Sequence, residues 1–236
     1  MKTTRKSSRT FIATLLALPL IASSVNAAIV WGTATNITNS VLDVSTTGTL
    51  LIAKSGAASG NTTVNGVTFV PGQIFDAGTK NDTLSGRVPA TIATDYYNLL
   101  FTASRQISGL ATVTLTGLTV GHQYEVQVWA SDADNTKTPG NEGTVLDPGT
   151  PGALTLLKNP TTNPIGAGQY SIGTFTAGGA TQSFTVQAYT GELTTPTATG
   201  QTALNGMQVR DITAVPEPSA LAFLGIGGLA LLRRRR

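Results

Sequence analysis

Few residues of this 236-residue chain can do chemistry. It has one histidine, no cysteine and 11% charged residues. That inventory excludes disulfides, thiolate metal sites, a cysteine nucleophile and any multi-histidine metal centre. His122 is the single imidazole available as a base. It follows Gly121 in an expected turn, with no Ser or carboxylate pattern beside it to build a triad. The densest oxygen donors are Asp132, Asp134 and Asn135, with Glu142 and Asp147 soon after. Oxygen-rich loops suit calcium, but position 143 is Gly where an EF-hand opening at Asp132 needs its bidentate Glu. Asp and Asn also favour turns with no metal at all. No cofactor is expected, and calcium is the one ion worth testing. Trp129 shares an expected strand face with Glu125 and Gln127. A ring flanked by hydrogen-bonding side chains is a surface on which a sugar can stack; the competing expectation is a loop, with Pro139 or Pro148, covering it. Two carboxylates ~5–9.5 Å apart across a cleft would make a glycan hydrolase, and Asp132, Asp134 and Glu142 are the acidic group dense enough to supply them.

The elements that must position these residues read as strands. The chain has 26 glycines and 40 threonines, a balance that favours strands and turns over helices. Ala111, Val113 and Leu115 alternate with Thr112, Thr114 and Thr116, a period of two with one packed face. Across Gly117 to Gly121, Tyr124, Val126, Val128 and Ala130 alternate with Gln123, Glu125, Gln127 and Trp129, so the two runs form a hairpin or a sheet-crossing pair. Phe184, Val186 and Ala188 repeat the pattern, and Leu204, Met207 and Val209 mark a last strand with Asn205-Gly206 as a bulge or bend. Further strands are expected at 29–33, 50–53, 67–70, 154–157 and 169–176, the last interrupted at Gly173. One helix is expected, capped by Asp95, with Tyr96, Leu99, Leu100 and Ala103 on one face, plugging an end of the fold. The fold class is therefore all-β: an antiparallel two-sheet sandwich with one short helix, flanked by helical targeting segments. The threonine runs 112, 114, 116 and 195, 197, 199 follow no fixed repeat, so they do not make an ice-binding array.

Both ends of the chain read as addresses. Lys2, Arg5, Lys6 and Arg9 precede an apolar stretch from Phe11 to Ile21, and Val25-Asn26-Ala27 presents small residues to a signal peptidase. Residues 1–27 are expected to be removed, with cleavage between Ala27 and Ala28. The stretch is about half the ~20 residues of a spanning helix. At the other end, Val215-Pro216-Glu217-Pro218 is followed by 13 apolar residues, 220–232, and then Arg233, Arg234, Arg235 and Arg236. Two prolines around one glutamate make an extended, exposed hinge. The apolar run would span ~20 Å as a helix, short of the ~30 Å hydrocarbon core, so it suits a transient membrane segment with the arginines held on the cytoplasmic side. The body, 28–214, is the single domain between them. Residues 28–218 carry seven basic and twelve acidic groups, a net charge of −5. The basic balance of the whole chain thus comes from its ends. Without a Lys/Arg cluster, nucleic acid is excluded as a partner.

The C-terminal arrangement resembles the PEP-CTERM sorting signal of exported bacterial proteins, a class whose tails also carry an ice-binding-protein label. The resemblance rests on Pro216, Glu217 and Pro218, the apolar run and the arginine cluster. It implies export and then cleavage near Pro-Glu-Pro by an exosortase in the inner membrane. The destination it implies is the cell surface or exopolysaccharide matrix. The body, from Asn65-Gly66-Val67-Thr68-Phe69 to Leu204-Asn205-Gly206-Met207, resembles secreted galactose-binding-like jelly rolls. The stretch Leu118 to Ala130 is similar to fibronectin type III strands, in which Tyr124 would be a corner tyrosine whose hydroxyl bonds the backbone upstream. The expected function is a non-enzymatic surface or matrix component contacting polysaccharide. Its alternatives are a surface glycan hydrolase and a fibronectin-like adhesion module.

Overall fold

Alternation with period two over most of the body leaves the chain one way to bury its apolar side chains, by stacking sheets. In the computed structural model the residues described are 27–38, 40–56, 60–77, 79–83, 94–106, 109–132, 140–160, 166–190 and 201–213. In chain order they form β1 (Val30–Trp31), β2 (Thr35–Asn36), a 3-10 turn (Val41–Asp43), β3 (Thr49–Ser55), β4 (Thr62–Val64), β5 (Val67–Pro71) and β6 (Thr79–Thr83). Then come α1 (Thr94–Leu100), β7 (Thr102–Gln106), β8 (Leu110–Thr116), β9 (Gln123–Ala130), β10 (Glu142–Leu146) and β11 (Leu154–Leu157). The last are β12 (Gln169–Thr176), β13 (Thr181–Thr190), β14 (Thr202–Leu204) and β15 (Gly206–Asp211).

An eight-stranded sheet runs β1-β12-β9-β15-β3-β5-β4, with β2 also on β12. A four-stranded sheet runs β11-β10-β13-β8, and a three-stranded one runs β14-β7-β6. The pairs are antiparallel except β3 with β5, which is parallel. The main core lies between the large and four-stranded sheets. Val126 and Val128 of β9 and Val209 of β15 meet Val113 and Leu115 of β8 and Val186 of β13, all fully buried. This is the jelly-roll-like sandwich, and β8 and β9 are the sheet-crossing pair rather than a hairpin. Asp147 ties the two sheets: its carboxylate accepts from the Thr185 N–H at 2.9 Å and from Trp31 Nε1 at 2.9 Å.

Four local expectations are corrected. Gly173 does not interrupt β12. Instead it makes room for β1, because a Cβ there would meet Ile29 Cγ2 at 2.5 Å and Trp31 Cε3 at 2.7 Å. The helix ends at Leu100, so Ala103 belongs to β7, and Asp95 lies inside the first turn rather than capping it. The helix packs with Phe69, Val64 and Val67 in a second core that includes Trp129. Finally, β9 is buried on both faces except at Gln123. Among the described residues no helix is long and apolar enough to cross a membrane, and the 220–232 run lies outside them.

Candidate functional site

The expected sugar platform is enclosed. Trp129 and Gln127 are fully buried and Glu125 is 8% exposed, so none of the three offers a stacking surface. Phe69 meets the Trp129 ring edge-on with centroids 5.6 Å apart, and Trp129 Nε1 donates to the Tyr96 hydroxyl at 3.1 Å. Gln127 reads as a surface residue from its polarity alone, but a distant loop satisfies it. Its Nε2 donates to the Asp43 carbonyl at 2.6 Å, and its Oε1 accepts from the Ser45 N–H at 3.0 Å and from Gln208 Nε2 at 2.7 Å. Arg210, opposite Glu125 in register, donates to the carbonyls of Thr46, Thr47 and Gly48. Burial lowers the Arg210 pKa and raises those of Asp43 and Tyr96. For Asp43, the hydrogen bonds from Thr38 oppose that rise.

The acidic run is divided. Asp132 is buried and meets Arg105 Nη2 at 3.2 Å, while Asp134 and Asn135 lie outside the described residues. Nearby, the Asp132 N–H donates to the Lys158 carbonyl, the Lys158 N–H donates to the Glu142 carbonyl, and Lys158 Nζ donates to the Gln201 carbonyl. Asn205 fastens the same end. Its Oδ1 accepts from the Ser131 N–H at 2.6 Å, and its Nδ2 donates to the carbonyls of Leu100 at 2.7 Å and Thr102 at 3.2 Å. The Asn205 bend expected from Asn-Gly is therefore where β14 leaves the three-stranded sheet and β15 enters the large one. Among the described residues no group of three His, Asp or Glu side chains converges as a metal cage.

His122 lies at the opposite end, and there the structure supplies a partner that the sequence could not. Its Nδ1 is 2.7 Å from Asp211 Oδ2, across 89 positions of chain. The hydrogen bond with His122 pulls the Asp211 pKa down to about 2. The Asp211 carboxylate also accepts from the Thr213 N–H at 2.9 Å, and Thr213 Oγ1 accepts from the Gln123 N–H at 2.8 Å. Tyr124, ring-stacked near His122, accepts from the Thr119 N–H at 2.8 Å, so the corner tyrosine forms as expected. Asp211 and Thr213 thus pin the last described residues before the Pro-Glu-Pro hinge. A concavity of about 460 Å³ beside them is lined by Ala27, Ala28, Gln123, Thr176 and Ile212. The expected signal cleavage point and the exit toward the tail therefore share one end of the sandwich.

The class defined by the body is an all-β, jelly-roll-like sandwich. Residues 214–236 match the PEP-CTERM protein-sorting motif, so the chain is an exosortase-sorted protein exported to the cell surface. No curated protein matches the chain. In backbone shape it is similar to the ANX1 ectodomain from Arabidopsis thaliana, with a TM-score of 0.45 and 14% identity over 70% of this chain and 42% of that one. The chain thus spans less than half of that ectodomain. It is also similar to the carbohydrate binding module CBM6cm-2 from Cellvibrio mixtus lichenase 5A, solved with cellotriose. There the TM-score is 0.33 and identity 13%, over 69% of this chain and 98% of that one. These are likenesses of backbone architecture alone.

Proposed function

We propose that this chain is a non-catalytic component of the cell surface or its exopolysaccharide matrix. A signal peptidase removes residues 1–27. The 220–232 segment then tethers the body briefly to the inner membrane until an exosortase cuts near Pro216-Glu217-Pro218. The observation that carries this reading is the sorting motif at 214–236, directly behind a body whose last described residue, Thr213, is bonded to Gln123. Two features support a structural or binding role over catalysis. The carboxylates of Asp43, Asp76, Asp147 and Asp211 each accept a backbone N–H, from Thr38, Thr114, Thr185 and Thr213, and so hold loops in place. The outer face of the four-stranded sheet presents hydroxyls, with Thr114 and Ser183 3.0 Å apart and Thr112 beside them. Hydroxyls both donate and accept, which suits contact with a hydroxyl-rich polymer.

Intact-mass analysis of the protein recovered from its native cell surface tests the processing. The expected species begins at Ala28 and lacks Arg233 to Arg236; retention of those arginines overturns the reading. Co-sedimentation of the same material with exopolysaccharide from the same cells tests the partner, with and without calcium.

A further inference from the structure

The two ends of the sandwich differ in a way that fixes how it must stand while tethered. β9 runs from Gln123 to Ala130, and β15 returns antiparallel from Gly206, beside Trp129, to Asp211, beside Tyr124. Asp211 to Thr213, the β8–β9 turn and residues 27–28 therefore lie at one end, here called proximal. Arg105, Asp132, Lys158 and the start of β8 lie at the other, distal end, where Thr202 on β14 donates to the Gly109 carbonyl.

From Thr213 to Ala220, where the apolar run begins, there are seven residue steps. Fully extended, they reach at most ~25 Å. From Gln123, bonded to Thr213, to Asp132 at the distal end there are nine residue steps, ~30 Å at the rise of a strand. A tether that short cannot bring the distal end to the membrane, because Thr213 would then stand a full strand length away. The surface chemistry agrees. At the proximal end, residues 27–30, 116–123, 176–181 and 211–213 include one acid and one histidine, bonded to each other. The β8 edge of the four-stranded sheet instead carries the exposed carboxylate of Asp76, which an anionic bilayer repels.

We infer that the tethered protein stands on the lipid headgroups of the membrane that holds its own tail. The Val120–His122–Asp211 end is the contact surface, and the Arg105–Asp132–Lys158 end faces outward. This rests on the reading of 220–232 as a membrane segment. It also assigns the surface open to matrix partners before processing: the distal end and the flanks.

The chain has no cysteine, so single-cysteine labelling needs no background removal. Val120, Leu110, Leu42 and Thr112 are all exposed, and they sample the proximal end, the distal end and the two flanks. The full-length variants Val120→Cys, Leu110→Cys, Leu42→Cys and Thr112→Cys are each fluorophore-labelled and reconstituted in anionic phospholipid vesicles with a short-range headgroup quencher. Flotation with the vesicles is measured first. Quenching several-fold stronger from position 120 than from 110, with 42 and 112 between, is the expected result. Failure to float overturns the anchoring and the orientation with it. Flotation with quenching strongest at 42, 110 or 112 overturns the orientation alone and leaves the anchor standing.

Discussion

At the end of the sandwich from which the tail departs, His122 meets Asp211 with 40% and 26% of their side chains exposed. At the far end, Arg105 meets Asp132 with 13% and 3% exposed. Each acid–base contact has one member just beyond an end of β9, His122 before it and Asp132 after it, yet water makes them different objects. An exposed pair is screened and contributes ~0–1 kcal/mol. A buried pair is nearly neutral when complete, because desolvation offsets attraction, and strongly destabilising when one partner is removed. The far-end pair thus acts on whether the fold survives. The near-end pair acts on where the last three residues of the body sit, since Asp211 also holds the Thr213 N–H.

Removing the cation from the far-end pair should therefore have the larger effect. Arg105→Met keeps the length of the side chain and removes the cation beside the buried Asp132 carboxylate. The expected loss is ~3–5 kcal/mol, read as a lower denaturation midpoint in urea at pH 7. A loss below ~1 kcal/mol, typical of an exposed pair, would mean that Asp132 reaches water and that the two ends are alike.

The same contrast explains what could be read from residue order. The packed faces Ala111-Val113-Leu115 and Tyr124-Val126-Val128 were legible because each alternates with polar residues and is buried in the main core. The opposite face of β9 was misleading for the same reason. Polar Glu125 and Gln127 normally mean water, but both are buried here: loop 41–48, more than eighty residues away in the chain, supplies backbone partners to Gln127, and Arg210 lies opposite Glu125 in register. One sign was available. Tyr96, Leu99 and Leu100 form an apolar helix stripe that needs a partner, and Trp129 is the large apolar group on an otherwise polar face. Pairing across long gaps was not available at all. Neither His122 with Asp211 nor Arg105 with Asp132 is encoded in any local pattern, because sheet order brings them together. The sorting tail was legible in full, since its proline hinge, apolar run and arginines are contiguous.

Within the near end, Tyr124→Phe separates a packing role from a hydrogen-bonding one. The ring stays stacked on Phe175, at a centroid distance of 5.5 Å. Only the hydroxyl that accepts from Thr119 is lost. One neutral hydrogen bond contributes ~1 kcal/mol, so stability should fall by about that amount, with faster amide exchange at Thr119. Unchanged exchange there would show that the turn carrying Val120 and His122 is held by its other bonds, among them Gly121 N–H to the Ala177 carbonyl.

His122→Ala should have the smallest effect at neutral pH, under ~1 kcal/mol for a pair this exposed, but it has a pH signature of its own. In the folded protein the bond to His122 draws the Asp211 pKa down to about 2, against ~3.9 for a free aspartate. A depressed carboxylate pKa favours the folded form wherever the unfolded carboxylate is ionised. The contribution is therefore complete above pH ~4 and fades as pH falls through about 2. The stability difference between native and His122→Ala protein should accordingly narrow across that window, while NMR titration of the Asp211 carboxyl in the variant moves upward. The Thr213 bonds persist in the variant, so the carboxyl should stop short of the free value. A difference that stays constant down to pH ~2 would assign the low Asp211 pKa to Thr213 instead, and the near end would then owe its geometry to the backbone rather than to its histidine.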